Sequence, residues 1–350
     1  MADRTFTRRS ALEGGAALAG AFALRGFGGV LRTSKEDRPA LAVIWLNGGP
    51  AGLFNSAGSF VGSGAFGVTG TNVRGLGTDL VVDAGSFGAL PAAARAHMGS
   101  VNFRHGIVRP HEAARAAVLE SERRSRLLRL ASVLPPAPIR CAVVNTIGLP
   151  AGVSATPPAE DGVELECIRE FAPVTRSLDP ADIAEARAAY GLSADAAAIA
   201  DTPSTFAAAE LLIRGGAGVV FAQPAFTGRA DRQFDTHEDD SGAEARAVMS
   251  PITPSLSVFL ERTLALPTRN VVTLLVGEFS RTIPASDHEP GGTATVIGKH
   301  VRTGTTGPQR PDGAPPENAP PPEALWAYVA AALRLPSQPF GPNPAPRLIL

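Results

Sequence analysis

The sequence predicts an α/β protein with a doubly wound, mostly parallel central sheet and helices on both faces. Three observations carry that expectation. The apolar runs at 40–46 (Ala-Leu-Ala-Val-Ile-Trp-Leu) and 270–276 (Asn-Val-Val-Thr-Leu-Leu-Val) have the continuous β-forming character of strands buried on both sides. Helix-start signals such as Asp179-Pro180 and Thr202-Pro203 stand between such runs. The two kinds of segment alternate along the chain, which is the pattern of repeated βαβ units.

Composition narrows the function. The chain has 350 residues and a net charge of −1, from 32 Lys+Arg against 33 Asp+Glu, so a sequence-independent hold on nucleic acid is excluded. A hydrophobic content of 44% supplies a sizeable core, while 6% aromatic residues argue against a stacking surface for sugars or bases. With 37 glycines and 31 prolines, long ordered loops are expected around the sheet.

Residues 1–35 are expected to be a leader and connector, and 36–350 a single α/β domain. Arg4, Arg8 and Arg9 precede an Ala/Gly-rich run at 11–24, and Ala21-Phe22-Ala23 offers an A-x-A cleavage pattern. Thr7-Arg8-Arg9-Ser10-Ala11-Leu12 resembles the twin-arginine export motif, with Ala11 where Phe is usual and Glu13 where Lys is common. A general secretion signal is the alternative. The run falls short of the roughly 20 apolar residues of a bilayer span, so cleavage is expected rather than a stable membrane anchor. The implied location is periplasmic or extracellular, with the twin-arginine export machinery as a partner. In that oxidising setting Cys141 and Cys167 either pair or remain two thiols, one inside a strand.

Taken in order, 40–46 opens the domain as a central strand and ends in the tight turn Asn47-Gly48-Gly49-Pro50. Residues 56–86, rich in Gly, Ser and Val, read as loop with short strands. A long helix is expected over 112–133, with Val118, Leu127, Leu128 and Leu130 inward and Glu120, Glu122, Arg123, Arg124, Arg126 and Arg129 on a solvated face; Pro135-Pro136 stops it. A third strand at 139–146 and a Pro/Ala/Gly loop at 149–163 follow. Asp179 caps one helix and Thr202-Pro203 opens the next, at 204–214, before a fourth strand at 218–223. A helix at 255–266 feeds the strand at 270–276. Residues 293–298 form a short strand. The proline-dense segment 307–322 reads as an extended surface stretch, and a final helix begins at Pro322.

The chemistry is expected beyond the carboxyl ends of the strands. Two such loops each carry an aspartate and a histidine: Asp235 with His237, and Asp287 with His288. A divalent metal such as zinc takes imidazole nitrogen and carboxylate oxygen, and a hydrolytic site leaves one position open to water. His300 is a further candidate nitrogen. Glu278 and Arg281 stand in the same stretch; Arg281 would orient an anionic group, and Glu278 would be a ligand, the support behind one, or the clamp on Arg281. Each residue also has a plain structural reading. Asp235 suits an Asx turn, His237 a surface loop, and Glu278 with Arg281 an ion pair closing the loop. His105 and His111 flank Arg109-Pro110, either lining the same face or capping the helix that follows; His97 has no evident partner.

Four stretches together resemble the bacterial domain-of-unknown-function family 1501 (DUF1501). They are the Arg-Arg leader, the segment from Trp45 to Pro50, Phe234-Asp235-Thr236-His237, and Gly277-Glu278-Phe279-Ser280-Arg281-Thr282 with Asp287-His288. Family members show Gly-Glu-Phe-Gly-Arg-Thr-Pro followed by Asp-His; here Ser280 replaces the glycine and Ile283 delays the proline to Pro284. That family resembles the alkaline phosphatase and sulfatase superfamily in fold. The resemblance implies an alkaline-phosphatase-like sheet with metal ligands on its strand-end loops: Asp287 with His288 as one pair, Asp235 with His237 as a second, and His300 matching a later histidine. The superfamily's aspartate after the first strand is absent, since 47–55 holds no carboxylate, and no serine or threonine stands in a nucleophile motif. The expectation is therefore an exported, metal-dependent hydrolase acting on a small anionic phosphate or sulfate ester. The alternative is a non-catalytic binding or scaffold protein that keeps the fold.

Overall fold

In the computed structural model, residues 38–122, 124–144, 162–224 and 234–350 are described. The expected leader, Arg123 and most of the expected loop at 149–163 lie outside them. Among the described residues, eight strands build the main sheet: β1 (Arg38–Trp45), β2 (Met98–Arg104), β3 (Cys141–Val144), β4 (Leu165–Ile168), β5 (Val219–Ala222), β6 (Arg269–Val276), β7 (Gly291–Gly298) and β8 (Gly304–Thr305). Their spatial order is β8-β2-β7-β6-β1-β5-β3-β4. β6, β1, β5, β3 and β4 run parallel, and β7 is antiparallel to both β6 and β2, so β7 alone is reversed.

Among the described residues, seven α-helices of seven residues or more accompany the sheet: α1 (His111–Leu119), α2 (Arg126–Val133), α3 (Pro180–Ala189), α4 (Thr202–Arg214), α5 (Ala243–Met249), α6 (Ile252–Leu264) and α7 (Pro322–Ala332). Strand alternation decides which helix meets which face. Leu41, Val43 and Trp45 of β1 share one cluster with Val118 of α1, Leu127 of α2 and Trp326 of α7. Ala40, Ala42 and Ile44 share the other with Phe206 of α4 and Phe259 of α6. β1 is thus buried on both sides, which is why its sequence is continuously apolar. Removing one such side chain, as in Leu274→Ala in β6, would cost about 2–5 kcal/mol.

Register brings one set of strand ends together. Trp45 of β1 lies beside Val276 of β6, and Gly291, the first residue of β7, lies opposite Arg104, the last of β2. The chain therefore leaves β1, β2 and β6, and enters β7, along one edge of the sheet.

Several expectations change. The helix expected over 112–133 is two helices, parted by the short pairing of Glu120–Ser121 with Arg124–Ser125, and Ser125 caps α2 through Leu128 N. Arg126, expected on a solvated face, is buried. It donates to the Ala117 and Val118 carbonyls at 2.7 and 2.8 Å and to Glu323, so it caps the end of α1. The cap of α4 is Asp201, one residue before the expected cap Thr202, in a reciprocal capping box with Ser204. Asp179 caps α3 as expected, accepting from Ala181 N at 2.8 Å.

β2 was not foreseen, because Gly99, Ser100 and Asn102 interrupt its apolar pattern. The proline-dense segment is only partly a surface stretch. Gln309, Gly313 and Ala314 are buried, Ser280 Oγ donates to the Gly313 carbonyl at 2.9 Å, and Ile283 N donates to the Asp312 carbonyl at 2.8 Å. It straps the loop that follows β6. Cys141 and Cys167 are free thiols; Val143, not Cys141, is the β3 partner of Cys167, and burial pushes the Cys141 thiol up to about 12. His97 is half-buried, with Nδ1 3.1 Å from the Val301 carbonyl. No helix among the described residues is long and apolar enough to cross a membrane.

Candidate metal centre

The centre is built on the turn after β1. Gly48 and Gly49 have φ of +92° and +83°, a left-handed backbone that favours glycine. Space enforces the same choice: a Cβ on Gly48 would lie 2.4 Å from Asp235 N, and one on Gly49 would lie 2.6 Å from the Phe279 carbonyl oxygen. The loops bearing Asp235 and Glu278 therefore pack directly on this turn. Phe234 N donates to the Asn47 carbonyl at 2.7 Å, and Gly48 N donates to Glu278 Oε1 at 3.0 Å.

Arg281 ties the same pieces together. Its guanidinium is fully buried; Nε donates to the Gly49 carbonyl at 3.1 Å, Nη1 to the Ser286 carbonyl at 3.2 Å, and Nη2 to the carbonyls of Gly48 and Phe234 and to Asp235 Oδ1 at 3.0 Å. Burial lowers the Arg281 pKa, with Asp235 opposing that shift. The expectation that Arg281 orients an external anion is not met in this geometry, because its donors are engaged inside the protein. A short ribbon pairs Ser280–Arg281 with His288–Glu289, and the loop between them carries Ala285 and Ser286 at φ of +80° and +48°. That loop is stapled to the Asp235 loop, Glu238 N donating to the Ala285 carbonyl at 2.8 Å and Ala285 N to Asp240 Oδ1 at 2.6 Å.

These scaffolds bring Asp235, His237, Asp287 and His288 together. Three imidazoles face one oxygen, Asp235 Oδ1: His237 Nε2 at 3.0 Å, His288 Nε2 at 3.1 Å and His111 Nε2 at 3.6 Å. His237 Nδ1 lies 3.7 Å from Asp287 Oδ1, and Asp287 Oδ2 lies 3.5 Å from Arg109 Nη2. Burial would raise the Asp235 pKa, but hydrogen bonds from His288 and Arg281 and the charge of Arg281 outweigh it and hold the carboxyl well below its usual range. Asp287 is also lowered, chiefly by the backbone N–H of His288.

His111 is the member that sequence reasoning underrated. It opens α1, and its Nδ1 lies 2.9 Å from Oε1 of the fully buried Glu278. The available signal was its place on a helix start beside the His105 loop, a feature shared by many capping residues. Glu278 touches His111 and Gly48 rather than clamping Arg281. His105 supports from behind: Nε2 donates to the Glu278 carbonyl at 2.7 Å, Nδ1 accepts from Ile107 N at 3.1 Å, and burial lowers its pKa. His300 is not brought to the cluster. It follows the far end of β7, whose eight residues at about 3.3 Å each carry the chain roughly 25 Å away. Asn47 Oδ1 faces the Trp45 indole N–H at 3.3 Å.

Donor chemistry and spacing fit a divalent cation. Two ligand atoms each about 2.0–2.1 Å from a tetrahedral ion stand roughly 3.3 Å apart, and the nitrogens facing Asp235 Oδ1 bracket that separation. Comparison of the chain with protein-family models, curated proteins and solved structures gave no match.

Proposed function

We propose that the protein is an exported, metal-dependent hydrolase of small phosphate or sulfate esters, a DUF1501-like member of the alkaline phosphatase and sulfatase fold group. The convergence of three imidazoles on Asp235 Oδ1 at 3.0–3.6 Å carries this reading. A divalent ion, zinc by donor type, would polarise an ester oxygen and acidify a water. The chain's own residues supply the rest. Glu278 and the Val108 carbonyl hold the Nδ1 atoms of His111 and His288, at 2.9 and 3.1 Å, which leaves both Nε2 atoms directed at the centre. Phe279 stacks on His288 with ring centres 4.1 Å apart and covers one face of that imidazole. Arg109, largely exposed beside Asp287, is placed to attract an anionic substrate.

The export reading rests on the leader sequence alone. Metal analysis of the purified protein tests the central reading. About one equivalent of divalent metal, lost in Asp235→Asn, is expected; less than about half an equivalent in the wild type contradicts it. One observation favours the non-catalytic alternative: the turn after β1 offers a carboxamide, Asn47, already facing the Trp45 indole, where a superfamily hydrolase would place a carboxylate. Turnover of p-nitrophenyl phosphate or p-nitrocatechol sulfate by the zinc-loaded protein separates the two.

A further inference from the structure

We infer that the cation is held by His111, Asp235 and His288, and that His237 and Asp287 stand beside it as rim residues facing the substrate. The inference rests on the metal reading above and divides its residues into two roles. Two trios bring their ligand atoms within 4.8 Å of one another: His111, Asp235 and His288, and His237, Asp287 and His288. They differ in what stands behind each side chain.

Every member of the first trio is oriented by a second group. His288 Nδ1 lies 3.1 Å from the Val108 carbonyl, and its ring lies flat on Phe279 with an interplanar angle of 8°. His111 Nδ1 lies 2.9 Å from Glu278 Oε1, which is itself fixed by Gly48 N at 3.0 Å. Asp235 is held by the buried Arg281. Metal-bound imidazoles and carboxylates need such support to keep their tautomer and direction. Two imidazoles and one carboxylate, with the fourth position open, also form a donor set used by hydrolytic zinc.

In the second trio His288 keeps its support and Asp287 Oδ1 accepts from His288 N at 2.8 Å, but no group among the described residues orients His237 from behind. The His237 side chain is 44% exposed and that of Asp287 47%, against 6% for His288. His237 Nδ1 and Asp287 Oδ1 stand 3.7 Å apart, close to the 3.6 Å between His111 and Asp235, so exposure and backing rather than spacing separate the two trios; the exposed Arg109 lies 3.5 Å from Asp287 Oδ2. Fixing two exposed side chains on an ion costs conformational entropy that more buried ones have largely lost on folding. Their exposure is what a residue meeting substrate requires. Glu278 is accordingly a positioning residue acting through His111, and His111 is a ligand the sequence motifs did not indicate.

Titration of the apo protein with zinc alone, by calorimetry, tests the division. His111→Gln is expected to weaken zinc by at least about 100-fold and Glu278→Gln by about 10–100-fold, whereas His237→Ala and Asp287→Ala stay within about threefold of wild type. His111→Gln keeps a half-exposed helix start and should remain folded. Should it not, the visible spectrum of the cobalt(II) form decides, since it should be the same in wild type and His237→Ala. Equal loss of zinc in His237→Ala and His111→Gln, or a cobalt spectrum altered by His237→Ala, overturns the division while leaving a metal site. Failure of the wild type to bind zinc ends both readings.

Discussion

Arg281 Nη2 and His237 Nε2 meet the same oxygen of Asp235, each at 3.0 Å, although the guanidinium is fully buried and the imidazole is half exposed. Asp235 is thus the joint between the folded interior and the open face of the centre. Arg281→Ala leaves the Gly48, Gly49, Phe234 and Ser286 carbonyls without their donor and Asp235 without its buried partner. A loss of about 3–5 kcal/mol in urea unfolding is expected. Arg281→Lys should recover little of it, because an ammonium cannot reproduce the planar fork. A loss below about 1 kcal/mol in either variant contradicts this role.

Gly48→Ala should damage fold and centre together. Its Cβ would lie 2.4 Å from Asp235 N at a φ of +92°, so one backbone must move. A cost of about 1–3 kcal/mol is expected, with weakened zinc binding because Asp235 is displaced. Unchanged zinc affinity would show that Asp235 is not positioned by this turn.

His105 gives the pH dependence a sign. Burial lowers its folded pKa below the ordinary 6.5, so below that pH the unfolded chain takes up the proton first. The stability from neutral His105 is full above about pH 6.5 and falls as pH drops, at most by about 1.4 kcal/mol per unit. His105→Gln should be less stable than wild type at pH 8, with the gap narrowing between pH 6.5 and 5. A gap constant across that range in thermal unfolding would contradict it.

Arg126 and Glu323 should behave unequally although they are partners. Arg126 is buried on the last carbonyls of α1, whereas Glu323 is 43% exposed. Arg126→Ala is expected to cost about 2–4 kcal/mol and Glu323→Ala less than about 1 kcal/mol. Equal losses would show that the ion pair, and not the helix end, is what Arg126 serves.

The sheet was legible where burial on both faces left no choice of residue. β1 and β6 stand where their apolar runs predicted, and the Asp179-Pro180 start was equally plain. β2 was hidden by Gly99, Ser100 and Asn102, and its place beside β7 is fixed by pairing nearly two hundred residues away in sequence, which no local pattern encodes. In the centre, the meeting of the two Asp/His loops could be anticipated because both stood beyond strand ends. His111 could not, because only the third dimension distinguishes a histidine that faces Asp235 from one that merely opens a helix. Arg281 looked available to an anion for the same reason: sequence shows a charge but not that five acceptors already surround it.

The most direct measurement is a crystal structure of the zinc-loaded protein with an anomalous difference map at the zinc edge. One strong peak is expected about 2.0–2.2 Å from His111 Nε2, His288 Nε2 and Asp235 Oδ1, with His237 and Asp287 outside bonding distance. A peak elsewhere, or none at a zinc excess that saturates binding in solution, would contradict it.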